Sequence, residues 1–86
     1  MTPNELRRKH EKNYPDSHFF DPDTLSFFGE RFSEMRVLKD TQVIPDYLGK
    51  NHTCYVLSSY QHKAPKGCEK RAYHYFDCET FDYIVS

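Results

Sequence analysis

Aromatic and acidic positions recur along the chain in a fixed order. HFFDPDTLSFF, residues 18–28, returns in altered form as HYFDCETFDYI, residues 74–84. Each copy has an aromatic stretch, a polar tetrapeptide (DPDT or DCET), then a second apolar stretch. That is the layout of a β-hairpin with a longer loop. Asp21 and Asp77 can accept hydrogen bonds from backbone amides two residues ahead, and Pro22 has its φ preset for the second turn position. Thr24 and Thr80 then suit the restart of a strand. With DPDTLS as the loop, Phe20 faces Phe27, and the same rule pairs Phe76 with Tyr83. Such cross-strand aromatic pairs are worth about 0.2–1 kcal/mol each and fix register. His18 and His74 sit at matching entry positions, which suggests a packing or hydrogen-bonding task for both.

The remaining pattern predicts the rest of an α+β domain. TPNELRRKHEKN reads as a helix over 1–13, with Thr2 as N-cap, Pro3 in the first turn and Glu5 completing a capping box. So polar a helix would dock through Leu6 and Tyr14. After Gly29, Phe28, Phe32 and Met35 fall at helical spacing, which predicts a short helix following the first hairpin. RVLKDTQVI reads as extended, PDYLGKN as a turn, and HTCYVLSSYQ as the central strand, its second half half-exposed because Ser58 and Ser59 add little to a core. Pro65 and Gly67 make 62–70 a loop, and KRAYHYF leads into the second hairpin. The expectation is a single domain over 1–86: an N-terminal helix, two aromatic hairpins and a meandering antiparallel sheet spanning 18–86.

Composition sharpens this picture. A chain of 86 residues hides only about 60–65% of its unfolded surface. Seven Phe and seven Tyr compensate, because each ring buries about 150–250 Å². Thirteen acids against twelve Lys and Arg leave the chain nearly neutral, which removes any bulk pull toward nucleic acid or membrane. The longest apolar runs, CYVL among them, are far short of the ~20 residues that cross a bilayer. Cys54, Cys68 and Cys78 are an odd count, and the first twelve residues are charged, unlike a signal peptide. Both point to a reducing cytoplasm with free thiols.

Candidate chemistry is thin. Cys54 lies in an apolar strand and reads as a small core residue. Cys68, beside Lys66 and Lys70, is the best reactive thiol, since nearby cations lower a thiol's pKa. It has no flanking catalytic signature, and no enzymatic activity is expected. His62, Cys68, His74 and Cys78 offer four metal donors, but their gaps of five, five and three residues do not match zinc spacing, so no metal or cofactor is expected. The richest segment is YQHKAPKGCEKRAYHY. There Tyr60, His62, Lys63, Lys66, Lys70, Arg71, Tyr73 and Tyr75 interleave cations with rings, a combination that contacts phosphates while stacking on bases, or that meets a protein surface. The acids Asp16, Asp21, Asp23, Glu30 and Glu34 lie elsewhere. Seven tyrosines exceed what so small a core can hold, so Tyr60, Tyr73 and Tyr75 are expected to be partly exposed.

HFFDPDTLSFFG, followed by YHYFDCETF near the C-terminus, resembles a group of small uncharacterised proteins of bacteriophages and mobile elements. The resemblance spans Tyr14 to Phe81, and the two boxes are its specific part; PDYLGKN and the three cysteines depart from the simpler members. It implies a non-enzymatic accessory protein that binds one host macromolecule, most readily a host protein, as a host-takeover or anti-defence inhibitor. The alternatives are a small nucleic-acid binder using 60–75, and a protein with a structural metal or reactive thiol.

Overall fold

A computed structural model describes residues 1–62 and 69–85. It is an α+β fold in which one N-terminal helix and a small three-stranded sheet cover one face of a larger five-stranded antiparallel sheet.

The helix α1 runs Pro3–Asn13. Its capping box is complete: Thr2 Oγ1 accepts from the Glu5 amide at 3.2 Å, and the Thr2 amide donates to Glu5 Oε1 at 3.3 Å. Leu6 and His10, one turn apart, are both buried, and Tyr14 follows on the same stripe. The sequence points to Leu6 and Tyr14 as docking residues; His10 joins them because its ring finds partners inside. Its Nδ1 lies 2.6 Å from the Phe81 carbonyl and its Nε2 2.8 Å from Ser17 Oγ. A carbonyl only accepts, so Nδ1 carries a proton.

Both copies of the repeat are turns of one design. Strands β1 (Phe20–Asp21) and β2 (Ser26–Phe27) pair Phe20 with Phe27. Strands β7 (Lys70–Asp77) and β8 (Tyr83–Ile84) pair Phe76 with Tyr83. The register is the one the aromatic pattern predicts. Asp21 Oδ1 accepts from the Asp23 amide at 2.9 Å, while Asp77 Oδ1 accepts from Glu79 at 2.7 Å and Thr80 at 3.0 Å. Thr24 and Thr80 do not restart the strands. Each is followed by a residue with left-handed backbone, Leu25 at φ 56° and Phe81 at φ 60°, and only then does the chain extend again. A left-handed residue of this kind typically costs about 1–2 kcal/mol, so the aspartate cap and the packing of both side chains must outweigh it.

No short helix follows the first hairpin. Phe28 (φ 50°) and Gly29 (φ 79°) form a two-residue turn that sends β3 (Glu30–Arg31) back along β2. The chain then enters β4 (Glu34–Val37), where Met35 and Val37 point toward the core and Glu34 and Arg36 away. Phe32 is buried at the crossing between the sheets. The spacing of Phe28, Phe32 and Met35 is thus coincidental: alternation of period two decides the structure.

The long strand β6 (Asn51–Gln61) is central. On one side it pairs β5 (Gln42–Pro45) through residues 51–54 and then β4 through residues 57–60; on the other it pairs β7. Its second half is not half-exposed, because strands flank it on both sides: Ser58 and Ser59 are closed off. Arg71 Nη1 donates to Ser58 Oγ at 2.9 Å, and Ser59 Oγ lies 3.1 Å from His74 Nε2. Among the described residues no buried polar side-chain atom lacks a partner.

The core gathers Leu6, Phe20, Phe27, Phe32, Leu57 and Phe76. No helix among the described residues is long and apolar enough to cross a membrane. Truncation of Phe76, which is fully buried, should cost about 3–5 kcal/mol. Tyr73→Ala, at an exposed strand position, should stay within about 0.5 kcal/mol. Urea denaturation of Phe76→Ala and Tyr73→Ala beside the wild type checks both.

Candidate binding face

Alternation along β6 and β7 sorts the side chains onto two faces. Tyr55, Leu57 and Ser59, with His74 and Phe76 opposite, point toward the helix and the small sheet. The other face carries Val56, Ser58 and Tyr60 on β6, opposite Tyr75, Tyr73 and Arg71 on β7, with Glu34 and Arg36 of β4 alongside. The helix and the small sheet both lie on the far side; on this second face Val56, Ser58 and Ile84 are covered, and exposure is concentrated at Arg71 and Tyr73.

Four of the eight residues singled out in the sequence meet there. Tyr60 and Arg71 are direct cross-strand partners, and the Arg71 guanidinium lies 5.0 Å from the Tyr60 ring centroid while bonding Ser58. This cation–π contact and the bond to Ser58 hold the guanidinium over the Tyr60 ring. Tyr73 is 50% exposed and Tyr75 partly so, and Tyr60 is partly buried under the arginine. His62 follows, exposed, its ring 6.5 Å from that of Tyr60 and its Nδ1 4.0 Å from Glu69 Oε1. Its backbone amide donates to Ser33 Oγ at 2.9 Å, fixing the end of the strand.

Lys70 does not belong to this group. It lies on the helix side, where its Nζ donates to Glu30 Oε1 at 2.6 Å and ties the two sheets together. Lys63 and Lys66 lie outside the described residues, as does Cys68. The acids set apart in the sequence are partly spoken for too, since Arg7 reaches Asp21 at 3.1 Å and Asp23 at 3.5 Å. The face is therefore aromatic with guanidinium groups rather than a dense cationic stripe.

The matching histidines have parted ways. His18 is exposed, whereas His74 stacks on Phe27 with centroids 3.7 Å apart. Burial in this apolar setting pushes the His74 imidazole down to about 4. His62 and His74 thus sit on opposite faces, and among the described residues no group of three or more His, Cys, Asp and Glu is arranged to hold a metal ion. Cys54 is fully buried, and burial raises its thiol to about 11, so it stays protonated and unreactive.

Two features escaped the sequence. The turn between β5 and β6 leaves Tyr47 82% and Leu48 77% exposed, beyond any of the tyrosines chosen for exposure. Beneath it, both ring nitrogens of His52 meet carboxylates, Asp46 Oδ2 at 2.8 Å and Asp77 Oδ2 at 2.7 Å. PDYLGKN is legible as a turn; nothing in the sequence ties His52 to an aspartate 25 residues away.

No family model, curated protein or solved structure matches the chain.

The state of His74 sets a pH dependence. When the chain unfolds, this imidazole takes up a proton below its ordinary value near 6.5; folded, it stays neutral down to about 4. The unfolded chain binds more protons in that window, so the contribution of His74 is full above about pH 6.5 and is lost progressively as pH falls toward 4. The stability advantage of the wild type over His74→Gln should shrink from pH 7.5 to pH 5, read from urea midpoints of the two proteins at each pH.

Proposed function

We propose that the chain is a non-enzymatic binding protein that docks onto a host protein through the outward sheet face formed by Tyr60, Arg71, Tyr73 and Tyr75. The observation that supports this most directly is the placement of these rings and the guanidinium on one sheet face, with Arg71 and Tyr73 exposed, pre-ordered by the Tyr60–Arg71 contact and the Ser58 hydrogen bond. Tyrosine and arginine carry much of the energy in protein interfaces because they bury large area and keep a polar handle. Fixing them on strands reduces the ordering cost that association must overcome. The resemblance of the two aromatic boxes to small phage and mobile-element proteins supports a host target and a cytoplasmic site of action.

A second reading is single-stranded nucleic acid, favoured by the same alternation of rings and guanidinium. It is the weaker of the two, because Lys70 is engaged by Glu30 on the opposite face.

A pull-down from bacterial lysate, with the wild type and Tyr73→Ala/Arg71→Ala as baits, tests the leading reading. A reproducible protein partner retained by the wild type should bind the double variant at least about tenfold more weakly, the loss of about 1.4 kcal/mol or more that one interface anchor typically carries. Equal retention by the variant would remove the face from the interface. Binding to single-stranded RNA or DNA that falls steeply with salt, and fails in the double variant, would instead favour the second reading.

A further inference from the structure

Asp46, His52 and Asp77 form a compact cluster at the opposite end of the same sheet face from Tyr60 and Arg71. Each aspartate divides its carboxylate between two tasks. Asp46 Oδ1 accepts from the Leu48 amide at 2.9 Å and the Lys50 amide at 3.0 Å, closing the turn that carries Tyr47 and Leu48; its Oδ2 faces His52 Nε2 at 2.8 Å. Asp77 Oδ1 caps the repeat turn through Glu79 and Thr80, and its Oδ2 faces His52 Nδ1 at 2.7 Å. The three side chains are between 13% and 17% exposed, so bulk water does not substitute freely for these contacts.

The geometry carries a constraint. A neutral imidazole has a single N–H, and an ionised carboxylate offers only acceptors. With a carboxylate on each ring nitrogen, only the imidazolium satisfies both contacts. Loss of one proton would set a nitrogen lone pair against an oxygen at under 3 Å, and one of the two turns would have to let go.

We propose that Asp46–His52–Asp77 is a protonation-operated latch that clamps the Tyr47–Leu48 turn to the second repeat turn when His52 is charged and frees it when His52 is neutral. The surroundings favour the closed state. The cleft on one side of His52 is lined, among the described residues, by Glu79 and Asp82 against Lys50, with Cys78 and Tyr14. On the other side stand Tyr47, Asp82 again and Tyr83. Among the described residues carboxylates outnumber cations around the ring. Hydrogen bonds to Asp46 first and Asp77 second raise the His52 pKa above its ordinary value, against a smaller opposing effect of burial. The bond from His52 is the main cause that lowers Asp46. Burial works to raise Asp77, yet the amides of Thr80 and Glu79 together with His52 hold it below the usual range. The sign follows: the clamp is at full strength below about pH 6.5, is lost as pH rises through the folded-state midpoint of His52, and fails again on strong acidification when the aspartates take protons.

Released, the turn keeps its own backbone bonds, Asp46 to Lys50 at 2.8 Å and Gly49 to Asp46 at 3.0 Å, but loses its tether to the repeat turn. Tyr47 and Leu48, the most exposed large hydrophobic side chains among the described residues, then change from a fixed to a movable contact. The latch thus regulates which surface the protein presents, independently of whether the outward sheet face is the docking site.

Nuclear magnetic resonance of the ¹⁵N-labelled full chain between pH 5 and 9 tests this. Both His52 ring nitrogens should be protonated at pH 6, with a midpoint above about 6.5, the ordinary histidine value. The amides of Leu48, Lys50, Glu79 and Thr80 should shift with that same midpoint, and exchange at Leu48 and Lys50 should accelerate above it. Asp77→Asn should move the midpoint down; if that variant does not fold, Asp46→Asn, in a surface turn, should do the same. A His52 midpoint at or below about 6.5, turn amides that ignore it, or a midpoint unmoved by the folded variant would each overturn the latch.

Discussion

The ring of Phe76 is the point around which the molecule closes. It is fully buried, and the rings of His10, Phe19, Phe20, Phe27 and Tyr83 all lie within 6.5 Å of it, centroid to centroid. Those five rings come from the helix, from the first repeat and from the end of the second. A chain of this size has little apolar surface to spend, and concentrating it in one aromatic cluster lets three separate segments share the same buried area. The helix, which has almost no apolar stripe of its own, is ordered because Leu6 and His10 reach this cluster. The repeat is thereby explained: two copies of one aspartate turn deliver aromatic strands to a common centre from different directions.

Polar groups then decide what the aromatic cluster cannot. Asp21, Asp46 and Asp77 each close a turn with one oxygen and use the carboxylate a second time to reach a distant cation or ring: Arg7 for the first, His52 for the other two. A local cap is thereby converted into a long-range tie at no cost in extra residues. Ser58 and Ser59 do comparable work inside the central strand, where small hydroxyls let the larger Arg71 and His74 lie close to the sheet.

Much of this was legible in the sequence, for definite reasons. The hairpin registers could be counted because the loop length is the same in both copies and aromatics stand at both ends. Tyr60, Arg71, Tyr73 and Tyr75 could be grouped because alternate positions on a strand share a face. Other readings failed where a pattern fits two periods or where a partner is remote. Phe28, Phe32 and Met35 suit a helix over a span too short to exclude a strand, and only the left-handed pair Phe28–Gly29 reverses the chain. Ser58 and Ser59 look like surface residues until the strands on either side are known. Lys70 reads as part of a basic segment, yet period two places it on the opposite face from Arg71, beside Glu30. His52 sits six residues from Asp46, but its second partner, Asp77, is brought to it only by folding.

The way β4 and β5 share one side of β6 has a further result. They run in the same direction along successive stretches of the same border, four residues each, interrupted by the irregular residues 38–41. A newcomer strand seeking to extend the sheet there would find no long, straight row of free donors and acceptors to copy. Pro45 withholds one donor outright, and Glu34 and Arg36 stand where a flat apolar border would invite stacking. Fragmentation of this margin protects an aromatic-rich chain from templated fibre growth, a hazard that its composition would otherwise make acute.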